Sequence, residues 1–174
     1  YCTGNLLTNL DLTTNISLLR LHFNQNQITN LDVSQNTALT HLNFNANQIS
    51  SLDLGQNNNL IFLMGINNQL TDLDVRNGNN INFIQFNATN NPSLNCISVD
   101  DPVWSTANWT NIDTHTSFSS GCDAKTYVPD DNFEAYLETH DASGNVVVVG
   151  ASNSMGDGIA NNDSVTTANI SGVT

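Results

Sequence analysis

The sequence predicts a repeat solenoid, mostly β with short turns, that runs on into two capping segments. Three observations predict it. The tripeptides Leu10-Asp11-Leu12, Leu31-Asp32-Val33, Leu52-Asp53-Leu54 and Leu73-Asp74-Val75 recur every 21 residues. Apolar columns keep the same step: Leu18, Leu39, Leu60 and Ile81; Leu21, Leu42, Leu63 and Ile84; Leu7, Ile28, Ile49 and Leu70. Asn5, Asn26, Asn47 and Asn68 also align. A fixed period of this length marks stacked coils, none of which can bury its apolar face alone.

The unit reads L-x-x-L-x-F-x-x-N-x-I-x-x-L-D-[LV]-x-x-N-x-x. Leu42 and Phe44 lie two apart, so both point to the interior of a strand while Asn43 points away. Leu52 and Leu54 predict a second, shorter strand on the far side of each coil. The columns Asn26/47/68 and Asn15/36/57 fall where the chain turns; there an amide can bond backbone groups of its own or the next coil, and Asn tolerates left-handed φ. This is a leucine-rich repeat. It resembles the 21-residue repeats of internalin-type bacterial surface proteins, especially the subgroup with a cysteine ladder. Cys2 occupies the ladder column, but Phe23, Phe44, Gly65 and Phe86 fill the rest of it, so no ladder of thiols is expected. The resemblance covers residues 1–95.

Residues 96–122 break the pattern and are rich in aromatics, with Trp104, Trp109 and Phe118 between Cys96 and Cys122. The open end of a solenoid needs such cover. The stretch resembles the C-terminal cap that follows repeats of this kind in secreted proteins of Gram-negative bacteria, closed here by a Cys96–Cys122 disulfide. That pairing implies an oxidising compartment and hence an extracellular or cell-surface location. Residues 123–174 start afresh. Phe133, Tyr136 and Leu137 share one face of an expected helix, Val146–Val149 suggests a short strand or hairpin, and Val165–Ile170 suggests a strand. This order resembles the α+β N-terminal cap that opens a further repeat module, which implies one section of a tandem-repeat protein.

Composition narrows the function. Lys and Arg number 3 against 16 Asp and Glu, a formal charge of -13, so nucleic-acid binding and docking on anionic lipid are excluded. No apolar run approaches a membrane span, and no membrane insertion is expected. Roughly one residue in six is Asn, which the turn columns absorb without any catalytic role. His22, His41, His115 and His140 share no spacing and sit in no nucleophile motif; the adjacent acids Asp100-Asp101 and Asp130-Asp131 diverge on a strand. The sequence therefore does not read as an enzyme.

A binding face is the better expectation. Outward positions of the main strands carry Arg20, His41, Phe62, Met64, Ile66 and Phe83, an apolar and aromatic cluster with the few cations beside it. Exposed aromatics anchor protein interfaces, and aromatics beside Asn and Gln equally suit a glycan. The alternatives are that a neighbouring module or the cap covers them, or that Gly65 marks a local register change. The Asp11/32/53/74 column is expected to bond backbone amides or the hydroxyls of Thr8, Thr29, Ser50 and Thr71 rather than calcium. No cofactor is required, although Asp141, Asp157 and Asp163 offer hard oxygen ligands for calcium in a loop whose default reading is a solvated one. Asp163-Ser164-Val165 resembles a bacterial O-glycosylation site at Ser164. The whole reads as an extracellular adhesion module for a protein or glycan ligand. The rival is a spacer in which the cap 127–174 of one copy docks on the first repeat of another, head to tail, building a filament.

Overall fold

In the computed structural model the described residues are 1–122, 125–127, 139–140, 146 and 164–166. The chain forms two compact units, Tyr1–Cys122 and Asp123–Thr174. The first is a leucine-rich-repeat solenoid with a parallel sheet on each of two sides. On one side β1 (Arg20–His22), β2 (His41–Asn43), β4 (Phe62–Met64) and β6 (Gln85–Asn87) pair in that order. On the other, β3 (Ser51–Asp53), β5 (Asp72–Asp74), β7 (Cys96–Ser98) and β8 (Ser117–Ser119) do the same. Each strand is three residues long, because the chain must turn again to complete a coil.

The apolar columns fill the space between the sheets. Phe23, Ile28, Leu39, Leu42, Phe44, Ile49, Leu54, Leu60, Leu70 and Leu73 have no accessible surface. Register comes from the 21-residue step: Leu21 faces Leu42, which faces Leu63. Gly65 has a specific cause, since a Cβ built on it would lie 2.4 Å from Cζ of the Phe44 ring. That ring occupies the volume that the column would otherwise need in two coils.

Asparagine side chains join the coils. The amide of Asn47 donates to the carbonyls of Phe44 in its own coil and Phe23 in the preceding one, while its oxygen accepts the N–H of Ile28. Asn26, Asn68 and Asn91 repeat the arrangement. A second row on the opposite corner works through Asn36 and Asn57, each donating to two carbonyls of the preceding coil. Left-handed φ, expected at these asparagines, falls instead on the residue before the first row: Gln25, Ala46, Asn67 and Asn90. The turn there frees the following amide to point inward.

The register departs from the sequence reading after Asn77. Phe86, not Ile84, faces Leu63. Two extra residues are absorbed by the Asn77–Asn82 segment, which ends in a 3-10 turn, Asn80–Asn82. Ile81 and Ile84, predicted to be core, are therefore exposed. Ala88, rather than Phe86, continues the Phe column.

Residues 96–122, read as an irregular cap, continue the coil on one side. Ile97 faces Phe118, and Val99 N–H bonds the Ser119 carbonyl. Between them runs α1, Pro102–Asn108, which the sequence reading missed. Its signals are present, with Asp101 as N-cap accepting from the N–H groups of Val103 and Trp104, and Pro102 in the first turn. The helix delivers Trp109 onto the end of the core, stacked on Phe86 with ring centroids 4.1 Å apart. Cys96 and Cys122 form the expected disulfide.

Of the second unit, β9 (Lys125–Tyr127) pairs antiparallel with β10 (Ser164–Thr166), and His140 bridges Val146. The helix expected over Phe133–Leu137 and the rest of the Val146–Val149 run lie outside the described residues.

Two substitutions test this packing. Gly65→Ala should destabilise the solenoid by about 1–3 kcal/mol, because the Phe44 ring is enclosed and cannot yield. Asn47→Ala removes two donors and an acceptor from buried backbone groups and should cost about 3 kcal/mol. Urea unfolding followed by circular dichroism measures both; an Asn47→Ala variant as stable as the parent would remove the amide row from any stabilising role.

Candidate functional site

The outward side chains of the first sheet form two columns fixed by the pairing. Arg20, His41, Phe62 and Gln85 make one; His22, Asn43, Met64 and Asn87 make the other. Phe62 and Met64 are half-buried, as are both histidines, and Arg20 is exposed. Phe62 lies nearly parallel to His41, with centroids 5.3 Å apart and planes 22° apart. His22 is also roughly parallel to Phe62 at 6.4 Å, and the Tyr1 ring meets His22 edge-on at 4.7 Å. Tyr1 was not among the expected site residues; His22 is one of the histidines expected on a strand face.

Ile66 stands just beyond β4, half-buried, its N–H held by the side-chain oxygen of Asn45. Phe83 does not join this face. It precedes β6 and packs on Trp109, with centroids 5.2 Å apart, and on Phe86. The inserted residues after Asn77 move it out of the strand column and into the cap, so its place on the predicted face is corrected.

Charge divides between the two sheets. Arg20, His22 and His41 stand on the first, and none of the strand residues of that sheet is a carboxylate. The second sheet carries Asp53, Asp72 and Asp74 on β3 and β5. The repeated aspartates do bond backbone, but not through the hydroxyls expected. Asp11, Asp32, Asp53 and Asp74 each accept the N–H two residues on, from Thr13, Ser34, Gly55 and Arg76. Hydrogen bonds from Thr13 and from Ser34 hold the Asp11 and Asp32 carboxyls below the usual range. Burial pushes Asp74 up, yet the hydrogen bonds and charge of Arg76 outweigh it and hold it down. Asp72 is raised, by burial first and then by Asp74 and Asp53.

Other acids close the solenoid. Asp113 accepts the N–H groups of Asn90 and Asn91, whose counterparts in earlier coils donate to carbonyls of the next coil. Asp100 does the same for Gly78 and Asn80. The pair Asp100-Asp101 is thereby used in structure, one residue at a coil junction and the other at a helix cap. An open cleft of about 480 Å³ beside Asp113 is lined by Asn90, Pro92, Ile112, Thr114 and His115.

No group of three His, Cys, Asp or Glu among the described residues is placed to hold a metal, and no helix among them is long and apolar enough to cross a membrane. Asp141, Asp157 and Asp163 lie outside the described residues. Ser164 opens β10, opposite Tyr127. Cys2 is a free thiol, half-buried at the first coil.

The fold and this face define a leucine-rich-repeat module with a two-column, carboxylate-free strand surface. No family model matches the chain, and no curated protein matches it. Among solved structures it aligns with the functional domain of InlJ from Listeria monocytogenes, which includes a cysteine ladder, at 29% identity. The alignment covers 64% of this chain and 26% of that one, with a TM-score of 0.36, so the chain spans about a quarter of that protein's length.

The histidines set a pH dependence. Burial lowers His22 from its ordinary 6.5, helped by His41 and Arg20; burial and then Arg20 lower His41. Just below pH 6.5 the unfolded chain therefore binds more protons than the folded one. Stability should fall as pH drops through that window and level off once the folded histidines charge. Urea midpoints compared between about pH 7.5 and about pH 5 check this, and His22→Gln should flatten the slope.

Proposed function

We propose that the first unit is a binding module of an extracellular or cell-surface protein, and that the Arg20/His41/Phe62 and His22/Met64 columns, with Ile66 at their edge, contact its ligand. The observation that carries this reading is the half-exposed Phe62–Met64 strand. It places an aromatic and a thioether side by side, outward, on a sheet whose other face is fully packed. Large apolar side chains held rigid at a surface contribute binding energy at little entropic cost. The backbone beneath them is fixed by the asparagine rows, so the surface is pre-formed.

The remaining features agree with the location. The Cys96–Cys122 disulfide suits an oxidising compartment, and the few cations leave no phosphate-binding surface for nucleic acid. None of the strand residues beside these histidines is a carboxylate, and the hydroxyl that meets His41 Nδ1, that of Thr40, donates to the Leu19 carbonyl, which supports recognition. The aspartates that act on one another, Asp53, Asp72 and Asp74, lie on β3 and β5 of the opposite sheet.

The test is capture on arrays of extracellular proteins and of glycans, with the parent chain and the double variant Phe62→Ala, Met64→Ala. Loss of about 2 kcal/mol of affinity is expected for the variant, with an unchanged melting temperature. Undiminished capture by a folded double variant would sink the assignment of this face.

A further inference from the structure

We propose that the ligand of this face is an acidic polysaccharide, whose carboxylate sits between Arg20 and His41 while a sugar ring lies against Phe62. The inference rests on the binding function assigned to the sheet and names the class of ligand it takes.

Three independent features point the same way. The first is charge segregation. The chain is strongly acidic, yet the acids on β3 and β5 are carried by the second sheet, and the first presents Arg20, His22 and His41 without a strand carboxylate. A surface kept free of acids in a protein of net charge -13 fits an anionic partner better than a cationic one. The second is bonding capacity. Nδ1 of His41 lies 2.9 Å from the Thr40 hydroxyl, which orients the ring. The Arg20 guanidinium is exposed beside it and presents the fork that suits a carboxylate.

The third feature distinguishes a saccharide from an acidic peptide. Phe62 offers a half-exposed ring in the cationic column, stacked on His41 on one side and next to Gln85 on the other, while Asn43 and Asn87 flank Met64 in the neighbouring column. An amide both donates and accepts, which matches the hydroxyl groups that edge a sugar ring. No groove for an extended peptide runs along β2 and β4, since each is three residues long and its backbone groups are taken up by the strands on either side.

Proton linkage follows from the same geometry. The titratable or charged side chains facing one another here are Arg20 and His22 on β1 and His41 on β2; none is an acid. A bound carboxylate stabilises the charged form of either histidine, so it raises proton affinity, and protons in turn raise affinity for the carboxylate. Binding strengthens as pH falls.

The experiment uses the full chain with carboxymethyl dextran, unsubstituted dextran and poly-glutamate as probes, measured by retardation in affinity electrophoresis. Retention by carboxymethyl dextran should exceed that by dextran and rise about tenfold between about pH 7.5 and about pH 5.5. Arg20→Gln with His41→Gln should abolish both the preference and the pH rise, and Phe62→Ala should weaken retention at either pH. Circular dichroism melts of each variant confirm that it is folded. Equal retention by poly-glutamate would overturn the saccharide in favour of an acidic peptide, and retention unchanged in Arg20→Gln, His41→Gln would overturn the site. If the array ligand depends on Phe62 and Met64 but carboxymethyl dextran is not retained, the inference fails and the binding function stands. If neither is captured, both fail.

Discussion

Everything in the first unit depends on one interaction, the asparagine amide that bridges successive coils. A coil of this solenoid has strands only three residues long, and turns make up most of its length. Turns inside a stack bury backbone carbonyls and N–H groups that no strand can pair, and leaving them unpaired would outweigh the gain from the apolar columns. Asn47 shows the solution, satisfying two carbonyls and one N–H across two coils with a single side chain. Leucine columns supply the driving force, and the amides make it possible to stack the coils closely enough to use it.

The same requirement dictates how the stack stops. In an internal coil the N–H groups at the inner turn find carbonyls of the following coil; at the last one they find the carboxylate of Asp113. Asp100 substitutes in the same way at the other corner. A carboxylate suits these positions because it only accepts, and each of its two oxygens takes one of the backbone N–H groups presented there. Trp109 then covers the apolar end and the disulfide fixes the returning chain. The rigid frame that results is what holds Phe62 over His41 and keeps the columns of the first sheet in register.

The period, the core columns, the disulfide and the strand face were legible in the sequence because each repeats or is paired. The two-residue shift after Asn77 was not, since Ile81 and Ile84 keep the apolar pattern while sitting outside the core. The amide row contained the correction. Asn follows the Phe column by three residues at Phe44/Asn47 and Gly65/Asn68, and the next pair that keeps this spacing is Ala88/Asn91. Phe83 was misplaced by the same slip. Helix α1 was overlooked for a different reason, because at seven residues it is too short for apolar periodicity and only its cap, Asp101-Pro102, announces it.

Reliance on asparagine also gives this protein a chemical clock. Hydrolysis of a side-chain amide turns asparagine into aspartate, exchanging a donor for an anion. In the middle of the stack that change would aim a carboxylate at two carbonyls of the kind Asn47 and Asn68 now serve. An aged internal rung would thus acquire the chemistry of a terminal one, and the solenoid would be marked to part between coils. Enclosure of the rungs, each less than a tenth exposed, keeps water from the amides on which the stack relies.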